Sequence, residues 1–412
     1  MRINFFIIII SITSLVTAQV TWTKNPTNLV LSKTLNQYEG IAIGSPSVIS
    51  DNDTLKMLYA AGGVDTKGRI SYAYSLDGTH WTNYNAATPI FDVSSDGNWD
   101  SHFLDTPDWL KDNMGYKLYY FGDRDNNSIG GAIGLAESDD GIHWNRVGTE
   151  PILSPGNSGE WDELYIESPS VLYDGTTYFM WYSGINANYK VSIGVATSSD
   201  GINWTKYNGN PVIDTDSDYS WEGLSVATPT IIKKDEHFEM WYCGASYHDF
   251  LDNEVIDTIK IGYATSLDGL TWTKYAKNPI MDTYTPPYAE NEERGPWTPD
   301  VIFKDETYYM WYETAHGFGL ATSTFENVAI PSVKNNSNNF LIYPNPAKNR
   351  LTIDFDDTTH RTIQIRNLQG VVMVECDVVP QMDINLTPLS KGIYLVTLTG
   401  MPSQIPQKLI VE

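Results

Sequence analysis

Two carboxylates stand where a repeated sequence should have none. Five segments, Ser45-Pro46-Ser47-Val48, Thr106-Pro107-Asp108-Trp109, Ser168-Pro169-Ser170-Val171, Thr228-Pro229-Thr230-Ile231 and Thr298-Pro299-Asp300-Val301, each place a hydroxyl residue before a proline. Two positions before those prolines the chain carries Gly44, Asp105, Glu167, Ala227 and Trp297. Scaffold acids recur with their repeat, as do Glu39, Asp100, Asp162 and Glu222, each after a Tyr or Trp and seven residues before the proline. Asp105 and Glu167 break the pattern, as a reactive site grafted onto a scaffold would. Two such acids suit proton transfer, one protonated to donate to a leaving oxygen and the other ionised to activate water or attack directly.

Other side chains near the repeat openings offer a second chemistry. His102, His248 and His316, with Arg124 and Arg294, could supply a base that removes a proton beside a uronate carboxylate and a cation that holds that carboxylate. Trp297, Trp109 and Tyr165 lie on or beside the opening segments and present ring faces of a size to stack on a pyranose. Asp300 follows its proline, as Asp108 does, so either reaches the same pocket only if the register of its strand shifts. His80 and His143 fall in turns and read as structural.

The elements that must position these residues follow from the repeat. Each opening leads through a polar turn to an aromatic strand such as Tyr178-Phe179-Met180-Trp181-Tyr182, then to a strand of small residues such as Ile193-Gly194-Val195-Ala196. A tight turn comes next, as in Ser198-Ser199-Asp200-Gly201, where Asp bonds back to turn amides and Gly supplies a positive φ before a closing Trp. Four strands in each of five units specify an all-β, five-bladed β-propeller, whose first strands line the axis and bring their starts to one mouth. The fifth unit ends at Ala321-Thr322-Ser323 without the turn, while Trp22-Thr23-Lys24 matches Trp204-Thr205-Lys206, so the N-terminal strand is expected to complete the last blade.

The ends and the composition bound the rest. Met1-Arg2, an apolar run from Ile3 to Val16, and Val16-Thr17-Ala18 read as a signal peptide cut before Gln19. The expected organisation is a signal peptide at 1–18, the propeller at 19–328, a polar linker at 329–339 and a small β-sandwich at 340–412. With 51 acidic against 26 basic residues the net charge is −25, which repels nucleic acid phosphates and anionic membrane surfaces. Cys243 and Cys376 fall in different domains and read as buried thiols. The sequence demands no cofactor or metal, and a structural calcium in the central channel stays open.

Two resemblances sharpen this reading. Tyr343-Pro344-Asn345-Pro346-Ala347-Lys348-Asn349-Arg350-Leu351, Leu389-Ser390-Lys391-Gly392-Ile393-Tyr394-Leu395-Val396 and Lys408-Leu409-Ile410-Val411-Glu412 resemble the type IX secretion sorting domain of Bacteroidota. That resemblance implies the type IX machinery as a partner, passage across the outer membrane, and release or attachment at the cell surface. The propeller resembles the five-bladed glycoside hydrolase superfamily that includes families 43, 32, 62, 117 and 130. Ile166-Glu167-Ser168-Pro169 resembles its Glu-Gly-Pro element, which implies Glu167 as general acid, and Asp105 resembles the carboxylate that tunes that acid and orients substrate. The first-blade Asp-Pro element of the group, which supplies the base or nucleophile, is here Ser45-Pro46, so the third carboxylate is unassigned. The resemblance implies hydrolysis of plant or algal polysaccharide. The alternatives are a lyase or dehydratase acting on uronate-containing oligosaccharides and a glycan-binding propeller without catalysis.

Overall fold

The computed structural model describes residues 21–125, 129–216, 220–234, 237–246, 259–283, 285, 295–324, 340–343, 347–354, 361–367, 371–379, 381–398 and 407–411. The signal-peptide and linker assignments, Arg294 and His248 lie outside the described residues. The chain divides into two compact units, residues 1–325 and 326–412.

The described strands of the first unit fall into five successive antiparallel groups, the third and fourth joined by a parallel pairing of Val191 with Ser225. Blade 1 runs Ala42–Asp51, Thr54–Gly62, Gly68–Ser75 and Thr82–Asn83. Blade 2 runs Phe103–Asp112, Gly115–Asp123, Ala132–Ser138 and Asn145–Arg146. Blade 3 runs Tyr165–Tyr173, Tyr178–Ile185, Val191–Ser198 and Thr205–Lys206. Blade 4 runs Ser225–Lys234, His237–Ala245, Lys260–Ser266 and Trp272–Lys274. Blade 5 has Trp297–Lys304, Thr307–Thr314 and Gly317–Thr324 from one end of the unit and Thr23–Lys24 from the other. Thr23 pairs with Thr322 and Lys24 with Ala321. The five innermost strands pack in a ring, each against the next and the fifth against the first.

Apolar side chains fill the spaces between neighbouring sheets. Leu58 and Ile70 of blade 1, for example, share one cluster with Leu104, Trp109 and Leu118 of blade 2. The recurrent acids brace blades 1 to 4 from within. Tyr59 donates to Glu39 at 2.6 Å, Tyr120 to Asp100 at 3.0 Å, Tyr182 to Asp162 at 3.2 Å and Tyr242 to Glu222 at 2.8 Å. These tyrosines also explain the small third strands, because a Cβ at Gly134 would fall 2.5 Å from the Tyr120 ring. In the hairpin turns Asp77, Asp140, Asp200 and Asp268 accept the amides two and three residues ahead. His80 and His143 bond those same aspartates at 2.7 Å, on the surface.

The second unit packs two sheets around a single core. One holds Leu341–Tyr343, Arg350–Asp354 and Met382–Asn385; the other holds Arg361–Arg366, Val372–Val378, Gly392–Leu398 and Gln407–Val411. Leu351, Ile353, Ile363, Ile365, Val396 and Leu409 are fully buried between them. Among the described residues no helix is long and apolar enough to cross a membrane.

Candidate active site

The site is shaped by a defect that every blade repeats. In each innermost strand the ladder slips between the residue two before the proline and the residue after it. Asp105 pairs with Phe121 and Asp108 with Tyr119, three steps on one strand against two on the other. Such a bulge returns both side chains to one face. The residue inside it is the one before the proline, and Ser45, Thr106, Ser168, Thr228 and Thr298 have φ of 52°, 41°, 53°, 50° and 39°. That left-handed backbone is costly for threonine and doubly so before proline, so the packing around the axis must enforce it.

Two further buried carboxylates lie within electrostatic reach of Asp105. Asp105 of blade 2 accepts the Ser45 hydroxyl at 2.9 Å and the Thr106 amide at 2.6 Å. Glu167 of blade 3 makes no hydrogen bond to the described residues, and its field is set by burial and the Asp105 charge. The third is Glu313, on the second strand of blade 5 opposite Trp297. It accepts the Ser45 amide and the Thr298 hydroxyl, each at 3.1 Å. A Cβ at Gly44 would lie 2.5 Å from Glu313 Oε2, so the missing side chain of blade 1 leaves the room that Glu313 fills. Sequence reasoning missed this residue because it compared only first strands. After the second-strand tyrosines come Ala60, Phe121, Ser183, Cys243 and Glu313, a single acid among small and apolar residues, and that comparison would have found it.

Burial pushes all three acids up. Glu167 and Glu313 each reach about 7, from burial first and then from the Asp105 charge. Asp105 is also raised by burial, against the pull of its two donors. Further along the axis Asp108 is pushed up to about 7 by burial, and Asp300 is raised by burial and then by Asp108.

Two of the candidates lie apart from Asp105 and Glu313. The bulge does turn Asp300 and Asp108 inward, but into the channel, a space of about 350 Å3 lined by the five proline segments, and not into the cleft that holds Asp105 and Glu313. There they tie blades together: Asp300 accepts the Val48 amide and Asp108 the Val171 amide, both at 2.8 Å. Asp300 thus ties blade 5 to blade 1. Trp109 is 3% exposed, stacks on Tyr116 and donates its indole N–H to the Ser47 carbonyl at 3.0 Å, so it belongs to the core between blades 1 and 2.

The remaining candidates divide. Trp297 is half-buried beside Glu313, and its indole nitrogen is buried with no partner among the described residues. Tyr165 is half-buried two residues from Glu167, and its phenol is raised by burial and then by the Glu167 charge. His102 precedes the first strand of blade 2 with its Nε2 buried and unpartnered among the described residues. His316 is exposed in the turn after Glu313, and Arg124 is exposed at the end of the second strand of blade 2. The cleft beside Asp105 and Glu313, about 770 Å3, is lined by Ile41, Ile43, Ala60, Ala61 and Phe103 among others, and none of its described lining residues is basic. Among the described residues no group of three or more His, Cys, Asp or Glu gathers to hold a metal.

Raised acids make stability depend on pH in a definite direction. Asp108, Glu167 and Glu313 bind protons in the fold up to about 7, whereas unfolded carboxyls release them near pH 4. Their contribution is therefore complete below about pH 4 and is lost as pH rises through about 7. Asp51 and Asp77, held low by their donors, lose theirs only in stronger acid. The midpoint of thermal unfolding should be about 5 °C higher at pH 5 than at pH 8. Calorimetry at the two values checks this, and the reverse order would contradict the burial of these acids.

Comparison with known proteins agrees with this architecture. A solved structure from work on family 130 mannoside phosphorylases, a family reported there to contain glycoside hydrolases targeting β-1,2 mannosidic linkages in Candida mannan, superposes with a TM-score of 0.58 at 18% identity, covering 74% of this chain and 94% of that one. The first unit shares the propeller fold of that structure. Within the propeller, residues 102–256 match the family model of the glycosyl hydrolases family 32 N-terminal domain. The uncharacterized protein Rv1502 of Mycobacterium tuberculosis strain H37Rv is 27% identical over 230 residues, 54% of this chain and 73% of its own length. A β-1,2-mannobiose phosphorylase of Thermoanaerobacter sp. strain X514 is 28% identical over 120 residues, 26% of this chain and 39% of its own. Residues 341–412 match the secretion system C-terminal sorting domain, which indicates type IX secretion and export to the cell surface or beyond.

Proposed function

We propose that this chain is an exported glycoside hydrolase in which Glu167 is the general acid, Glu313 the base and Asp105 the carboxylate that orients substrate and keeps the acid protonated. One arrangement supports the reading: Ser45 bonds both Asp105 and Glu313, whereas the Glu167 carboxyl has no donor among the described residues. Glu167, with no donor to stabilise its anion, favours the protonated form that gives a proton to the leaving oxygen. Glu313 is pushed up to about 7 as Glu167 is, but the Ser45 amide and the Thr298 hydroxyl on one of its oxygens oppose that push, and we assign it the carboxylate that draws a proton from water. Trp297 and Tyr165 would stack on sugar faces at the rim.

Plant or algal polysaccharide is the substrate class we favour, and its reacting sugar should be uncharged. The described cleft lining offers no Lys, Arg or His to hold a uronate carboxylate, and its two acids, Asp105 and Glu313, repel one. That weighs against elimination, although His102 has a free Nε2, because its arginine partner is missing from the described lining and Arg124 faces solvent. The same absence weighs against phosphate as the attacking group. We place export on a signal peptide at residues 1–18 and on the C-terminal module. Neutral glycans incubated with and without inorganic phosphate test the reading: reducing ends should appear at equal rates, with no sugar phosphate formed. A requirement for phosphate would overturn it.

A further inference from the structure

We propose that Ser45 is the positioning residue of this site, the single contact through which carboxylates from different blades act as one unit; this rests on the assignment of Glu167 as the acid. Ser45 sits in the bulge of blade 1 with φ of 52°. From that conformation its hydroxyl donates to Asp105 Oδ1 at 2.9 Å and its amide to Glu313 Oε2 at 3.1 Å. The chain of bonds extends both ways. Thr298 donates to the same Glu313 oxygen at 3.1 Å, the Thr106 amide to the same Asp105 oxygen at 2.6 Å, and Thr106 Oγ1 accepts the amide of Ser168, the neighbour of Glu167, at 3.0 Å. The path thus runs from blade 5 through blades 1 and 2 to blade 3, and Ser45 is its only described residue that touches two carboxylates.

The consequence is electrostatic. Burial pushes Asp105 toward its neutral form, and the Thr106 amide and then the Ser45 hydroxyl oppose that push. An ionised Asp105 in turn raises Glu167. The other titratable groups acting here are Glu313, Tyr165 beside Glu167, and Cys243 beside Glu313, with Asp108 and Asp300 further along the axis. No Lys or Arg acts on Asp105, Glu167 or Glu313 among the described groups, so the Ser45 hydroxyl is the one side-chain donor that joins the Thr106 amide in favouring the Asp105 anion. Without it Asp105 takes a proton more readily, its charge fades, and Glu167 gives up its own proton at lower pH.

Ser45→Ala and Ser45→Thr separate this role from a structural one. Threonine is the natural residue at the matching position of three other blades, Thr106, Thr228 and Thr298, with the same sign of φ. On a chromogenic glycoside that the full chain cleaves, Ser45→Ala should lower kcat about tenfold with KM little changed. The alkaline limb of its pH profile should move down by about one unit. Ser45→Thr should restore both. Asp105→Asn, which removes the charge directly, should move the limb the same way and keeps the test readable should Ser45→Ala fail to fold. An unmoved limb in folded Ser45→Ala or in Asp105→Asn, or a Ser45→Thr variant no better than Ser45→Ala, would overturn the proposal. If Glu167→Gln is inactive while the limb stays fixed, only the role of Ser45 falls; if Glu167→Gln stays active, the acid assignment falls first.

Discussion

Glu167→Gln should lower glycoside turnover about 10³-fold while leaving glycan affinity close to that of the unaltered chain. The substitution keeps volume and shape and removes only the transferable proton. Glu167 has no hydrogen bond among the described residues to lose, and burial already favours its neutral form, so an amide should not disturb the ring. Kinetics paired with glycan retardation in native gels would show activity and binding parting company. Retained activity would remove Glu167 from the reaction.

Glu313 admits a stricter test, because the structure says where its carboxylate came from. In blade 1 the residue two before the proline is Gly44, and Glu313 Oε2 lies where a side chain there would begin. Glu313→Ala should cost about 10²-fold or more in kcat. Adding Gly44→Asp to that variant places a carboxylate in the vacated space from the first strand and should recover about tenfold of the loss. Gly44→Asp alone should lower the unfolding temperature, since its Cβ would crowd Glu313 and two acids would share one buried place. Full activity in Glu313→Ala would show that another group activates the water.

The contrast between Glu167 and Glu313 also shows what a sequence discloses. The turns at Asp77, Asp140, Asp200 and Asp268 are local: a few residues contain both the acid and the amides it binds. The braces from Tyr59 to Glu39 and from Tyr242 to Glu222 repeat at one spacing and so betray themselves as scaffold. Asp105 and Glu167 were legible for the converse reason, since they break that repetition. Glu313 reaches the mouth from a second strand, 268 residues along the chain from the Ser45 amide it binds, and no spacing within one repeat reports that. The facing of Asp108 and Asp300 was hidden as well, because one extra residue in the bulge reverses the alternation that a regular strand would have. Trp109 misled for a related reason: just past the bulge its ring turns into the space between blades.

Cleavage in oxygen-18 water tests the central claim most directly. If three carboxylates from three blades hydrolyse a neutral glycoside, mass spectrometry should find one oxygen-18 atom at each new reducing end and none at the new non-reducing end, no ultraviolet-absorbing double bond, and about a thousandfold less product from Glu167→Gln. A product that carries the double bond without oxygen-18, or a glycan that is bound and left intact by the unaltered chain, would contradict it.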